Sequence, residues 1–156
     1  MDYGTSIIAA ELAEDYRKYP ISDHGKLRFV YGKVTAAEAL TAGGTMAFAK
    51  LPPGRLRVLP QLSRITTSAF GAGRTLDVGY GAFQDRPSGT ADPVAADPDA
   101  FIDGLDVSSA VSAGVVGTGL KFDLYSLSGV VVQGTVLGGT FPNAGTVELL
   151  LAYLYE

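Results

Sequence analysis

From Lys26 onward, apolar side chains recur at every second position, the period of a pleated strand. In "KLRFVYGKVT" the residues Leu27, Phe29 and Tyr31 fall on one side and Arg28, Val30 and Gly32 on the other. The bulkier set, Leu27, Phe29 and Tyr31, reads as the buried side. "TMAFAKL" alternates Met46 and Phe48 against Thr45, Ala47, Ala49 and Leu51. Pro52-Pro53-Gly54 cannot supply ladder donors and closes this run with a turn. "RLRVLPQLSRITT" continues the alternation through Leu56 and Val58, and Pro60 within it points to a sheet edge or a bulge. In "RTLDVGYGAF", Leu76, Val78 and Tyr80 face together, while Gly79 and Gly81 leave room for close backbone approach or bending.

The last third carries the strongest strand signals. "LKFDLYSL" and "VVVQGTVL" flank Ser128-Gly129, which predicts a short hairpin. "TVELLLAYLY" is apolar on both faces, as expected of a strand in the middle of a packed sandwich or at a subunit contact. Between these regions, "QDRPSGTADPVAADPDAFIDGLDVSSAVSAG" breaks the periodicity; it reads as a long irregular segment in which "DPDAFIDGL" forms one helical turn. About seven strands joined by turn-rich loops, without alternating helices, predict an all-β fold: a jelly-roll-like antiparallel β-sandwich.

The start of the chain differs. Ser6 fits an N-cap, Ile8, Leu12, Tyr16 and Tyr19 fall on one helical stripe, and Pro20 stops it. An extended arm ordered against a neighbour fits the same residues. The chain therefore divides into an N-terminal arm or short helix at 1–26 and a sandwich domain at 27–156.

Composition narrows the function. A chain of 156 residues is one domain's length, and 47% hydrophobic residues with 18% charged and 20 glycines exclude a disordered tail and a helical bundle. The net charge of -4 and the absence of a dense Lys/Arg cluster argue against nucleic acid as a partner. No run approaches the ~20 apolar residues of a membrane span. The first residues lack a basic n-region, and Glu11, Glu14 and Asp15 cut their apolar run, so they do not read as a signal peptide. The expectation is synthesis and retention in the cytoplasm unless a larger assembly carries the protein out. With no cysteine, disulfides, thiolate catalysis and Cys-based zinc sites are excluded.

Candidate chemistry is sparse. Asp92, Asp97, Asp99, Asp103 and Asp106 crowd one segment, but "DPDAFIDG" places Phe101 where an EF-hand needs a ligand, so turns and a helix N-cap at Asp97 or Asp99 explain them better than a cation. His24, the only histidine, has no G-x-S-x-G partner. "FGAGRT" and "GVVGTG" match no phosphate-binding loop and read as turns. Catalytic, cofactor and metal residues are accordingly expected to be none. Tyr31, Tyr80, Tyr125 and Tyr153 read as core or interface residues whose hydroxyls reach the rim.

The order "AFAKLPPGRLRVL", then "LDVG" at Leu76 to Gly79, then "DPDAFIDGLDVSSA" resembles structural proteins of tailed phages over residues 30 to 155. The chain is similar to capsid decoration, or cement, proteins. That resemblance implies β-sandwich subunits, commonly homotrimers, bound on the outer surface of the virion where major capsid proteins meet, with no enzyme activity and no cofactor. It also implies that the arm reaches neighbouring subunits. The residues expected to touch a partner are Ile7, Ile8, Leu12, Tyr16 and Tyr19 in the arm, and Lys50, Arg55 and Arg57 around the proline turn. A tail or fibre module that binds host polysaccharide through tyrosines is the alternative.

Overall fold

A computed structural model describes residues 26–36, 41–85, 92–115 and 122–155. Residues 1–25 of the arm lie outside them, His24 included, as does part of "GVVGTG". Twelve strands are described: β1 (Lys26–Thr35), β2 (Thr45–Leu51), β3 (Gly54–Val58), β4 (Arg64–Thr67), β5 (Thr75–Tyr80), β6 (Phe83–Asp85), β7 (Asp92–Val94), β8 (Asp97–Asp106), β9 (Val111–Gly114), β10 (Phe122–Ser126), β11 (Val130–Leu137) and β12 (Thr146–Tyr155).

Two antiparallel sheets stack face to face. The larger runs β10-β3-β12-β4-β9, with β1 on the other side of β12; the smaller runs β2-β11-β5-β8, and β6 and β7 form a separate ribbon. Successive strands repeatedly change sheet: β1 to β2, β2 to β3, β4 to β5, β8 to β9, β10 to β11 and β11 to β12 all cross over. This wrapping is the jelly-roll-like sandwich that the sequence predicts.

It also overturns the predicted hairpin. β10 pairs with β3, whereas β11 pairs with β2 and β5. Gly129 turns the chain from one sheet to the other at φ +90°, where a Cβ would lie 2.5 Å from the Leu51 carbonyl oxygen. Two alternating runs separated by a glycine thus meet across the core instead of side by side.

The "DPDAFIDGL" helical turn is a second correction, because these residues form the ten-residue strand β8. Phe101 is fully buried at its centre, and the left-handed φ of +65° at Gly104 breaks the regular pairing with β5 that pattern reading relies on. Asp97 and Asp99 consequently cap no helix.

Pro60 interrupts the larger sheet in another way. A single 3-10 turn, Pro60–Leu62, separates β3 from β4, and both strands then pair with the same edge of β12. The gap is bridged at Ala152, whose N–H donates to Ser63 Oγ at 2.9 Å and whose carbonyl accepts from Leu59 N–H at 2.9 Å.

β12 lies at the centre of the larger sheet, as its two apolar faces predict. Val147, Leu149, Leu151 and Tyr153 point into the core, in one buried cluster with Leu51, Val78, Val132 and Phe101. Phe70 and Phe141 close one end edge-to-face, with ring centroids 4.6 Å apart, a favoured aromatic geometry.

β1 is the third correction. It pairs with β12 along its whole length, with Leu27 opposite Leu154, Phe29 opposite Ala152 and Tyr31 opposite Leu150. Directly opposed residues share a face, and in β12 the core face belongs to the odd positions. Leu27, Phe29 and Tyr31 therefore point outward and are 49%, 54% and 58% exposed. Gly32 fixes this choice: on the inner face, a Cβ there would sit 2.4 Å from the Phe48 carbonyl oxygen of β2. Only the face holding the glycine can approach β2 so closely.

Candidate interaction surface

Strand register assembles an outer surface on the larger sheet. β12 contributes Glu148, Leu150 and Leu154, and β1 contributes Leu27, Phe29, Tyr31 and Lys33. Arg57 is level with Leu154, and Arg55 follows two residues away on the same face of β3. β10 adds Asp123 opposite Arg57 and Tyr125 opposite Arg55. Arg64 of β4, opposite Leu150, brings a cation to the other end.

The centre of this surface is apolar and its border is charged. Leu150, 37% exposed, lies directly across from Tyr31, so four large apolar side chains form one continuous outward patch. By contrast, the exposed apolar residues of the smaller sheet, Val131 and Leu137, stand six positions apart on β11. Apolar and aromatic residues at the centre with arginine and other polar groups around them match the anatomy of a protein interface.

Hydrogen bonds fix the border groups. Arg57 Nε donates to Asp123 Oδ1 at 2.8 Å. Arg64 donates from Nε and Nη2 to Ser112 Oγ at 3.2 and 2.9 Å. Lys33 Nζ and Glu148 Oε1 are 2.8 Å apart. This contact, together with a hydrogen bond from Tyr31, holds the Glu148 carboxyl below its ordinary pKa, while the Glu148 hydrogen bond raises that of Lys33. The Tyr31 phenol is raised first by its partial desolvation and then by the Glu148 carboxylate.

Among the described residues, the sequence-predicted partner residues do not form one cluster. Arg55 and Arg57 belong to this surface. Lys50 lies on β2 in the smaller sheet, opposite Val131, on the far side of the Pro52-Pro53 turn. The arm residues Ile7, Ile8, Leu12, Tyr16 and Tyr19 fall outside the described residues. Of the four tyrosines, Tyr153 is in the core and Tyr80 packs partly buried against Phe83 and Phe101, whereas Tyr31 and Tyr125 are exposed. Missed by sequence reading were Leu27, Phe29 and Leu150 as surface residues; Gly32 marks a close backbone approach, but Gly79 makes one on the outer face of β5, so a strand glycine alone does not identify the inner face.

Of the five aspartates, Asp92 lies on β7, whereas Asp97, Asp99, Asp103 and Asp106 are spread along β8. Asp97 and Asp99 share a hydrogen bond, which raises the pKa of Asp97. Asp106 accepts from the Ser108 N–H at 2.9 Å and is lowered by it. Nearby, the buried Asp77 of β5 accepts from the Gly104 N–H at 2.8 Å, anchoring the kink in β8. Among the described residues, no group of three or more His, Cys, Asp or Glu side chains is arranged to hold a metal ion. The "FGAGRT" glycines are turn residues, with Gly71 and Gly73 at positive φ and Arg74 Nη1 donating back to the Phe70 carbonyl. No described helix is long and apolar enough to cross a membrane.

No family model matches the sequence, and no curated protein matches it. Solved structures share its fold. A chain from the capsid asymmetric unit of cyanophage Pam1 is 19% identical, with a TM-score of 0.58 over 85% of this chain and 86% of that one. A chain from the capsid of Ralstonia phage GP4 is 18% identical, with a TM-score of 0.59 over 85% and 86% of the two chains. At these identities the likeness is one of fold.

Proposed function

We propose that this chain is a phage capsid decoration, or cement, protein: a subunit that binds the outer surface of the major capsid protein lattice as an oligomer and stabilises the head by adhesion. The observation that carries this reading is the open outer face of the larger sheet, an apolar centre bordered by Arg55, Arg57, Arg64 and Lys33. Its fold occurs in chains from two phage capsid structures, and the "AKLPPG" and "LDVG" resemblance points the same way. Several modest contacts made at once hold a shell tightly, because each bound module raises the effective concentration of the next. The arm residues Ile7, Ile8, Leu12, Tyr16 and Tyr19 and the turn-region residues Lys50, Arg55 and Arg57 are assigned to partner contact, with self-association as a homotrimer.

The test adds the full chain to heads of its phage that lack it. Co-sedimentation at a fixed ratio, with a higher temperature for DNA release, is expected. Deleting residues 1–25 abolishes binding if the arm makes the contact. Heads that neither bind the chain nor change their stability overturn the proposal. A second reading, a tail or fibre module that binds polysaccharide, is favoured by the exposed Tyr31 and Tyr125 on one sheet, since aromatic faces stack on sugar rings. Binding on a glycan array together with density at the tail would favour it.

A further inference from the structure

The open edges of the two sheets are unequal. An unpaired edge strand invites another chain, and proteins blunt it with prolines, bulges, charge or shortness. β8 carries Pro98, a left-handed Gly104 and two register shifts against β5. β2 is bulged at Phe48, since Val132 lies opposite Ala49 and Gln133 opposite Ala47. β9 has four residues and β10 five. β1 differs from all of these: its ten residues run against β12 without a register shift, and among the described residues no strand pairs with its other side.

Hydrogen bonds show which backbone groups that edge holds. The N–H and carbonyl of Ala152 point to Ser63 and Leu59, on the β3 and β4 side of β12, and the direction alternates from residue to residue along a strand. Odd-numbered residues of β12 therefore point to β1, where the register sets even-numbered residues opposite them. Leu27, Phe29, Tyr31, Lys33 and Thr35 are left with N–H and carbonyl groups on the far edge. The side chains of all five are exposed on the outer face. Lys33 is their one charge, and Glu148 already pairs with it.

We propose that β1 pairs antiparallel with β1 of a second copy about a two-fold axis at Tyr31, joining the larger sheets of two chains into one. Tyr31 then opposes Tyr31 of the second copy, Phe29 opposes its Lys33, and Leu27 opposes its Thr35. Of the two-fold registers this edge allows, this one engages all five residues of each strand, in about ten hydrogen bonds, as many as a typical protein interface carries. It opposes no like charges, because Lys33 meets Phe29 and Arg28 meets Val34. Opposed residues share a face, so both copies present their apolar patches on the same side. The contact goes beyond capsid attachment and does not depend on it. A two-fold pair closes on itself; it is separate from the ring of a trimer and, on a shell, ties one trimer to the next.

Because the chain lacks cysteine, single cysteines in the full free chain report the register. Opposed residues that exchange both hydrogen bonds have Cα atoms about 5.5 Å apart, within reach of a disulfide. Tyr31→Cys, oxidised, is expected to give a covalent dimer on a denaturing gel, and Phe29→Cys, which meets Lys33 of the second copy, at least tenfold less. Phe29→Cys combined with Lys33→Cys is expected to recover the dimer. Equal yields from the two single variants, or no dimer from Tyr31→Cys, overturns the proposal. As a second measurement, Phe29→Lys sets two ammonium groups opposite each other and Phe29→Glu sets a carboxylate opposite Lys33, at equal loss of apolar area. Sedimentation is expected to show Phe29→Glu associating at least fivefold more tightly; equal association counts against the pairing. Neither experiment involves a capsid, so failure here is distinguishable from failure to bind heads.

Discussion

β1 and β5 share nearly the same pattern and meet opposite fates. Leu27-x-Phe29-x-Tyr31 and Leu76-x-Val78-x-Tyr80 each place large apolar residues at alternate positions. In β5, Leu76 and Val78 have no exposure, because the strand lies between β11 and β8 with this face against the other sheet. In β1 the corresponding residues face away from the core. The glycines do not separate the two cases by themselves. Gly79 lies on the outer face of β5, where a Cβ would meet the Asp97 carbonyl oxygen at 2.0 Å; Gly32 lies on the inner face of β1, against Phe48. Each marks the side on which another backbone comes close. Bulk alone does not tell a core face from a binding face.

The sharpest way to break this contrast is truncation of matched leucines. Leu76→Ala is expected to cost about 2–5 kcal/mol in urea unfolding, while Leu27→Ala changes stability by less than about 1 kcal/mol because its site is already half in water. Equal losses would mean that the patch is core. Next come the glycines. Gly32→Ala and Gly79→Ala are each expected to lose about 1–3 kcal/mol through displaced backbone, and a Gly32→Ala chain of unchanged melting temperature would contradict the close approach of β1 and β2.

The smallest effect concerns the patch border. The folded-state pKa of Glu148 is depressed by Lys33 and Tyr31. Its contribution to stability is therefore fully present above the unfolded-state carboxylate pKa and is lost as pH falls through the lower folded value. Wild type and Glu148→Gln, compared by denaturation from neutral to acidic pH, should converge at the acid end, and a side-chain carbonyl titration of Glu148 at or above the ordinary carboxylate value would remove the basis for this.

Strand periodicity was legible wherever it was regular: β1, β2, β3, β5, β11 and β12 all lie where the alternation puts them. β8 was not, since the kink anchored by Asp77 and Gly104 breaks the period and Pro98 imitates a loop. Of the predicted contact residues, Arg55 and Arg57 fall on the assembled surface and Lys50 does not. A sequence separation of five residues across Pro52-Pro53 says nothing about which sheet each side enters.

By itself the sequence determined an all-β sandwich, a last strand apolar on both faces, a turn at Pro52-Pro53-Gly54, and no cysteine chemistry. Those properties follow from local sterics and from the two-residue pleat, which every strand carries within its own residues. Which strands pair, which face of β1 meets the core and which residues join into one outward patch were decided by tertiary structure alone. They depend on contacts between segments as distant as β1 and β12, where one glycine against one opposing carbonyl settles what alternation leaves symmetric.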